Sequence, residues 1–161
     1  MSKQSLRQSR KVEFTVYGEP VGKGRPRFYN GHAVTPEKTR AYEQEVALLS
    51  RVATREVFTE AVSVEITAYF GIPKSATKKK RQELIGGYVT KKPDADNIAK
   101  IIMDGISGIC YKDDSQVALV NIRKIYTADE PRVTVKIGTI ESASADDGKS
   151  IGDVAKVALS P

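Results

Sequence analysis

KPDADNIAKIIMDGISGICYKDDSQV, residues 92–117, sets one helix between two acidic pairs. Ile98, Ile101, Ile102, Ile106 and Ile109 fall at the spacing of an amphipathic helix over residues 97–109, and Asp94 and Asp96 stand where a carboxylate can cap it. Gly108 marks a sharp break. Beyond it two strands are read, residues 117–126 and 132–137, the second turning Val133, Val135 and Ile137 inward. Asp129-Glu130-Pro131 carries turn residues between them, so the pair is expected to form a hairpin.

Upstream, VSVEITAYF at residues 62–70 alternates with Val62, Val64, Ile66, Ala68 and Phe70 on one face, the pattern of a strand that Pro73 closes. Thr35-Pro36 predicts the start of a helix, with Thr35 as cap and Pro36 in the first turn, running through Ala53 or beyond on a stripe of Tyr42, Val46, Leu49 and Ala53. VEFTVY at residues 12–17 reads as a further strand, ended by Gly18-Glu19-Pro20. The order β, α, β, basic arm, α, β, β describes an α+β fold: a small mixed β-sheet with helices packed on one face. A chain of 161 residues suits a single such domain. We place it at residues 12–138, after a basic N-terminal extension (1–11) and before a weakly structured acidic tail (139–161) with a faint helical pattern at Val154, Val157 and Ala158.

Composition narrows the function classes. With 40% hydrophobic and 29% charged residues the chain matches soluble globular proteins. No apolar run is long enough for a bilayer, and Met1 to Lys11 lack an apolar region behind them, so neither membrane nor export is expected. Cys110 is the only cysteine; flanked by Ile109 and Tyr111 it reads as a packed thiol, and a cytoplasmic location fits. One His and one Cys leave histidine or thiol nucleophile chemistry without support.

The net charge of +6 is unevenly spread. Residues 1–40 carry nine Lys/Arg against three acids and residues 71–100 eight against three, whereas the tail is acidic. Such patches attract phosphate backbones, although charge alone also suits a basic protein with no nucleic-acid partner. In residues 20–28, Lys23, Arg25 and Arg27 lie among glycines that let backbone approach a ligand, which suits a phosphate clamp as well as a solvated connector. In KSATKKKRQEL, residues 74–84, Ser75 can cap a short helix bearing Lys78, Lys79, Lys80 and Arg81, either a solvated face or an arm on the DNA backbone.

The acids carry the chemistry. Asp94 and Asp96 at spacing two point the same way in extended chain, and converging carboxylates repel unless a cation neutralises them. Magnesium does so with one or two protein carboxylates, waters and phosphate oxygens. Lys100 follows Asp96 by four residues and Asp104 follows Lys100 by four, so all three can line one helix face. A return of the chain would bring Asp113-Asp114 back toward them. Taken singly, each piece also fits a bland role: caps for Asp94 and Asp96, an exposed pair for Lys100 and Asp104, a turn for Asp113-Asp114.

Residues 92–117, with D-x-D-N-x-x-K followed by a DD pair, closely resemble the core motif of the RusA family of Holliday-junction resolvases of prophages and bacteria. GEPVGKGRPRF, residues 18–28, resembles that family's basic N-terminal signature, and the likeness spans residues 12–138. The resemblance implies a homodimeric, Mg2+-dependent endonuclease that binds four-way DNA junctions and nicks two opposing strands symmetrically in recombination and repair, with no small-molecule cofactor. It implies Asp94, Asp96 and Asp114 as catalytic, metal-holding carboxylates, Asp113 as the other acid of its pair, Lys100 as catalytic lysine, and Asn97 and Asp104 as supporting residues. Three other readings make different demands: a nuclease of flaps, forks or plain duplex; a non-catalytic nucleic-acid-binding protein with structural acids; and a phosphatase with a D-x-D nucleophile. The last needs its first Asp at the end of an apolar strand, where this chain has residues 88–93, YVTKKP.

Overall fold

The computed structural model describes residues 10–140. Along the chain run β1 (Lys11–Tyr17), β2 (Arg27–Tyr29), β3 (His32–Val34), α1 (Glu37–Ala53), β4 (Val62–Gly71), α2 (Lys78–Leu84), α3 (Ala95–Ile106), β5 (Val117–Thr127) and β6 (Arg132–Thr139), with a 3-10 turn at Asp114–Gln116 before β5. Four strands form one sheet in the order β1-β6-β4-β5, and β2 and β3 make a separate two-stranded sheet. The fold is α+β, with a mixed sheet and a single domain, as expected.

β4 explains the sheet order. Val62, Val64, Ile66 and Ala68 are fully buried and Phe70 nearly so, so this strand sits inside the sheet and both its backbone edges need partners. β6 takes one edge antiparallel and β5 takes the other in parallel. The expected hairpin of β5 with β6 is therefore corrected: the turn at residues 128–131 carries the chain across the end of β4, which lies between them. A parallel β4–β5 pair needs a crossover, and α3 supplies it, packing against α1 and β5.

Ile98, Ile101, Ile102 and Ile106 of α3 are fully buried. Each contributes roughly 1.5–3 kcal/mol to docking, against about 0–1 kcal/mol for an exposed ion pair. Packing rather than its charged residues holds α3 in place, which leaves the polar face free for other work. At Gly105 the two helices nearly touch: a Cβ there would lie 2.6 Å from Val46 Cγ1.

Element ends shift for local reasons. α3 begins two residues before the expected range and stops at Ile106, leaving Ile109 in the turn that Gly108 makes with φ 74°. Pro36 is the residue before α1 rather than its first residue, and Thr35 does not cap it. α2 is capped by Thr77, whose Oγ1 accepts from Lys80 N at 3.2 Å, rather than by Ser75, which lies in a turn closed by Ala76 N and Pro73 O. Cys110 is buried, as expected, with its sulfur 3.2 Å from Thr54 Oγ1.

The β2–β3 hairpin was not expected. The N-terminal extension up to residue 9 and the acidic tail from residue 141 lie outside the described residues. No described helix is long and apolar enough to cross a membrane.

Candidate active site

The N-terminus of α3 gathers the first acidic pair. Asp94 occupies the cap position, yet its side chain makes no capping bond to the helix backbone. Its Oδ2 instead accepts from Lys92 Nζ at 2.8 Å. That bond holds the Asp94 carboxyl below the usual carboxylate range, slight burial opposes it, and the charges of Lys92 and Lys124 add to the lowering. Asp96 stands exposed in the first turn, where the positive end of the helix dipole also favours a carboxylate.

A depressed pKa keeps Asp94 ionised further into acid, and removing its partner reverses this. In Lys92→Ala the Asp94 carboxyl is expected to titrate at a higher pH than in the parent, followed by 13C NMR of its side chain. An unmoved midpoint would show that Lys92 does not hold it.

Lys100 lies one turn beyond Asp96 and is exposed; among the described residues no carboxylate lies within 4 Å of its amine. Asp104, another turn on, does not pair with it. Asp104 accepts from Lys23 Nζ at 2.8 Å, and Glu43 of α1 takes the same ammonium. Burial works to lower the Lys23 pKa, but the hydrogen bonds that its ammonium donates to Asp104 and Glu43 outweigh it and the net shift is upward. Lys23, read from the sequence as a DNA contact, thus sits with its charge spent inside the protein.

The glycines beside Lys23 serve the same anchoring. Lys23 N donates to Asn97 O at 2.9 Å and Gly24 N to Thr39 Oγ1 at 3.2 Å. A Cβ on Gly22 would come within 2.8 Å of Pro93 Cβ, and one on Gly24 within 2.7 Å of Thr39 Oγ1. The Gly-Lys-Gly loop is therefore clamped against the start of α3. Between them runs an open groove of about 550 Å³, lined among others by Arg27, Lys38, Lys92, Asp94 and Asn97.

The second acidic pair divides its duties. Asp113 caps the 3-10 turn, its Oδ1 accepting from Ser115 N at 2.8 Å, and this backbone bond lowers its pKa. Asp114 faces the hydroxyl of buried Tyr111; burial first, then Asp114, raises the Tyr111 pKa so that it stays protonated. The Tyr111 hydroxyl also donates to Met103 O of α3 at 3.5 Å. Among the described residues no three His, Cys, Asp or Glu side chains come close enough together to hold a metal ion.

The family model of endodeoxyribonuclease RusA matches residues 17–138. The chain belongs to the RusA endodeoxyribonuclease family. The matched RusA region runs from the end of β1 into β6 and contains every site residue named above. A Bacillus subtilis (strain 168) protein described as "Uncharacterized protein YqaN" is 40% identical over 140 residues, covering 81% of this chain and 98% of its own length.

Several cations of this RusA domain escaped the sequence reading. Lys38 and Lys92 line the groove, and Lys124 of β5 reaches Lys91 O at 2.6 Å beside Asp94. Lys92 was visible in the motif, since it lies two residues before an aspartate. Lys124 gave no signal, because only the parallel pairing of β5 brings it there. Of the expected DNA contacts, Arg25 and Arg27 are exposed, Arg27 on the groove, and Lys78, Lys79 and Lys80 are exposed on α2. Arg81 is tied back to Pro73 O at 3.5 Å.

Proposed function

We propose that this RusA-family chain is a magnesium-dependent endonuclease that resolves four-way DNA junctions by paired symmetric nicks in recombination and repair. The observation that carries the reading is Asp94: it holds the cap position of α3 yet turns its carboxylate away from the helix backbone, into a groove lined by Arg27, Lys38 and Lys92. A carboxylate that were only a cap would bond the first-turn N–H groups.

The residues suit magnesium. Asp94 and Asp96 are exposed carboxylates on one helix end, and one or two such groups are what the ion takes from a protein beside waters and phosphate oxygens. When bound there, the metal supplies a polarised phosphoryl oxygen and a water of lowered pKa. Asp114, directed by the Tyr111 hydroxyl, is the third carboxylate of the proposed set; Asp113 shapes the turn that presents it. Arg25, Arg27, Lys38 and Lys92 seat the DNA backbone in the groove, and Lys78, Lys79 and Lys80 extend that basic track, with Arg81 bracing α2. Lys23 anchors the loop, and Asn97 supports it through its carbonyl. Lys100 neutralises charge that develops on the phosphate oxygens as the bond breaks.

Two equivalent scissile strands in a four-way junction match a two-fold axis, which supports a homodimer. Action on chromosomal or prophage DNA supports a cytoplasmic location. The test is nicking of a synthetic four-way junction against a linear duplex of the same arms, with magnesium and with chelator. Symmetric cuts on the junction that need magnesium are expected; equal cutting of duplex favours a nuclease of other DNA, and metal-independent binding without nicking would sink the enzymatic reading.

A further inference from the structure

Residues 25–34 all stand exposed, although six of them form β2 and β3. Asn30 and Gly31, with φ 49° and 77°, make the two-residue turn between Tyr29 and His32, and two positive φ angles suit the twist of a tight hairpin. The register pairs Arg27 with Val34, Phe28 with Ala33 and Tyr29 with His32. Side chains alternate along a strand, so Arg27, Tyr29, His32 and Val34 share one face while Phe28 and Ala33 share the other.

Phe28 is 80% and Tyr29 72% exposed, so neither ring is used by the core. Arg27 lines the groove that holds Asp94, which turns the Arg27–Tyr29 face toward the candidate site. Arg25, also exposed, stands at the foot of the hairpin. Two free aromatic rings beside cations are the combination that takes up unstacked bases: any base offers a π-face, and the cations hold its phosphate.

We propose that the β2–β3 hairpin enters the branch point of the DNA, with Tyr29 and Phe28 stacked on bases that have lost a neighbour there. This rests on the reading of the chain as a branched-DNA nuclease and supplies its selectivity. A continuous duplex closes its bases against each other and offers these rings nothing. A branch point interrupts that stacking. The basic groove binds either DNA through phosphate, and the hairpin tells them apart.

The test compares the full chain with Phe28→Ala/Tyr29→Ala for binding, without divalent metal, to a four-way junction and to a linear duplex of the same arms. 2-Aminopurine at the branch point reports stacking. The double variant is expected to lose about tenfold or more in junction affinity and to change duplex affinity by less than about twofold. The 2-aminopurine quenching produced by the parent should vanish, and the thermal unfolding midpoint should not move, because both rings lie outside the core. A Phe28→Tyr/Tyr29→Phe exchange keeps two rings and should retain junction preference. Unchanged junction affinity in the double alanine variant, or an equal loss on both DNAs, overturns the hairpin's role while leaving nuclease function intact. A parent protein that does not prefer the junction overturns both readings.

Discussion

Asp96→Asn is expected to lower the rate of junction nicking on the order of a thousandfold while leaving junction affinity within a few-fold of the parent. The substitution keeps the size and polarity of the side chain, so the exposed first turn of α3 is undisturbed and the packing of Ile98, Ile101 and Ile102 beneath it is unchanged. What it removes is one negative charge from the pair that would hold the metal. Asp94 is a less clean target, because its carboxylate already bonds Lys92 and a change there also frees a lysine in the groove. Single-turnover cleavage with magnesium, set beside fluorescence anisotropy in chelator, separates chemistry from binding. A variant that cuts at the parental rate would remove the carboxylate pair from the mechanism.

Lys100→Ala is expected to lower kcat about a hundredfold with little change in KM. Its amine is exposed, and no described carboxylate lies within 4 Å of it, so its loss breaks no ion pair of the fold. A lysine that merely bound backbone phosphate would behave differently. Its removal would raise KM and reduce the salt dependence of binding by about one phosphate's worth, without slowing the bound complex. Measuring kcat, KM and the salt slope on the same junction therefore discriminates the two roles. A pure KM effect would move Lys100 from the reacting phosphate to the binding track.

The parts of the fold legible in the sequence are those governed by local periodicity. β4 and α3 alternate or repeat strongly enough that their buried faces were read residue by residue. Strand pairing was not legible in the same way: Asp129-Glu130-Pro131 announces a reversal of direction, but nothing local says that β4 will lie between the strands it joins. The β2–β3 hairpin has a local signal, Asn30-Gly31 after Phe28-Tyr29, but three-residue strands with no buried face carry no alternation to reveal it.

The site divided along the same line. That Asp94, Asp96 and Lys100 share one end of α3 follows from spacing on a helix. That Lys23 is held between Glu43 and Asp104 required three distant segments to meet, and a cation in a glycine-rich loop looks alike whether it faces DNA or an internal carboxylate. Asp113 and Asp114 are adjacent in sequence, and only the capping geometry of Asp113 separates their roles.

The sheet order also governs when the protein can take shape during synthesis. β1 emerges before every other described element, yet its partner β6 ends at Thr139, and β4 lacks both neighbours until the last quarter of the described residues has been made. A nascent chain stalled before residue 117 would hold one apolar strand with neither edge covered, an invitation to self-association that chaperones must suppress. Because so many pairings join residues far apart, folding should be slow for a domain of this size and complete only once β6 has emerged.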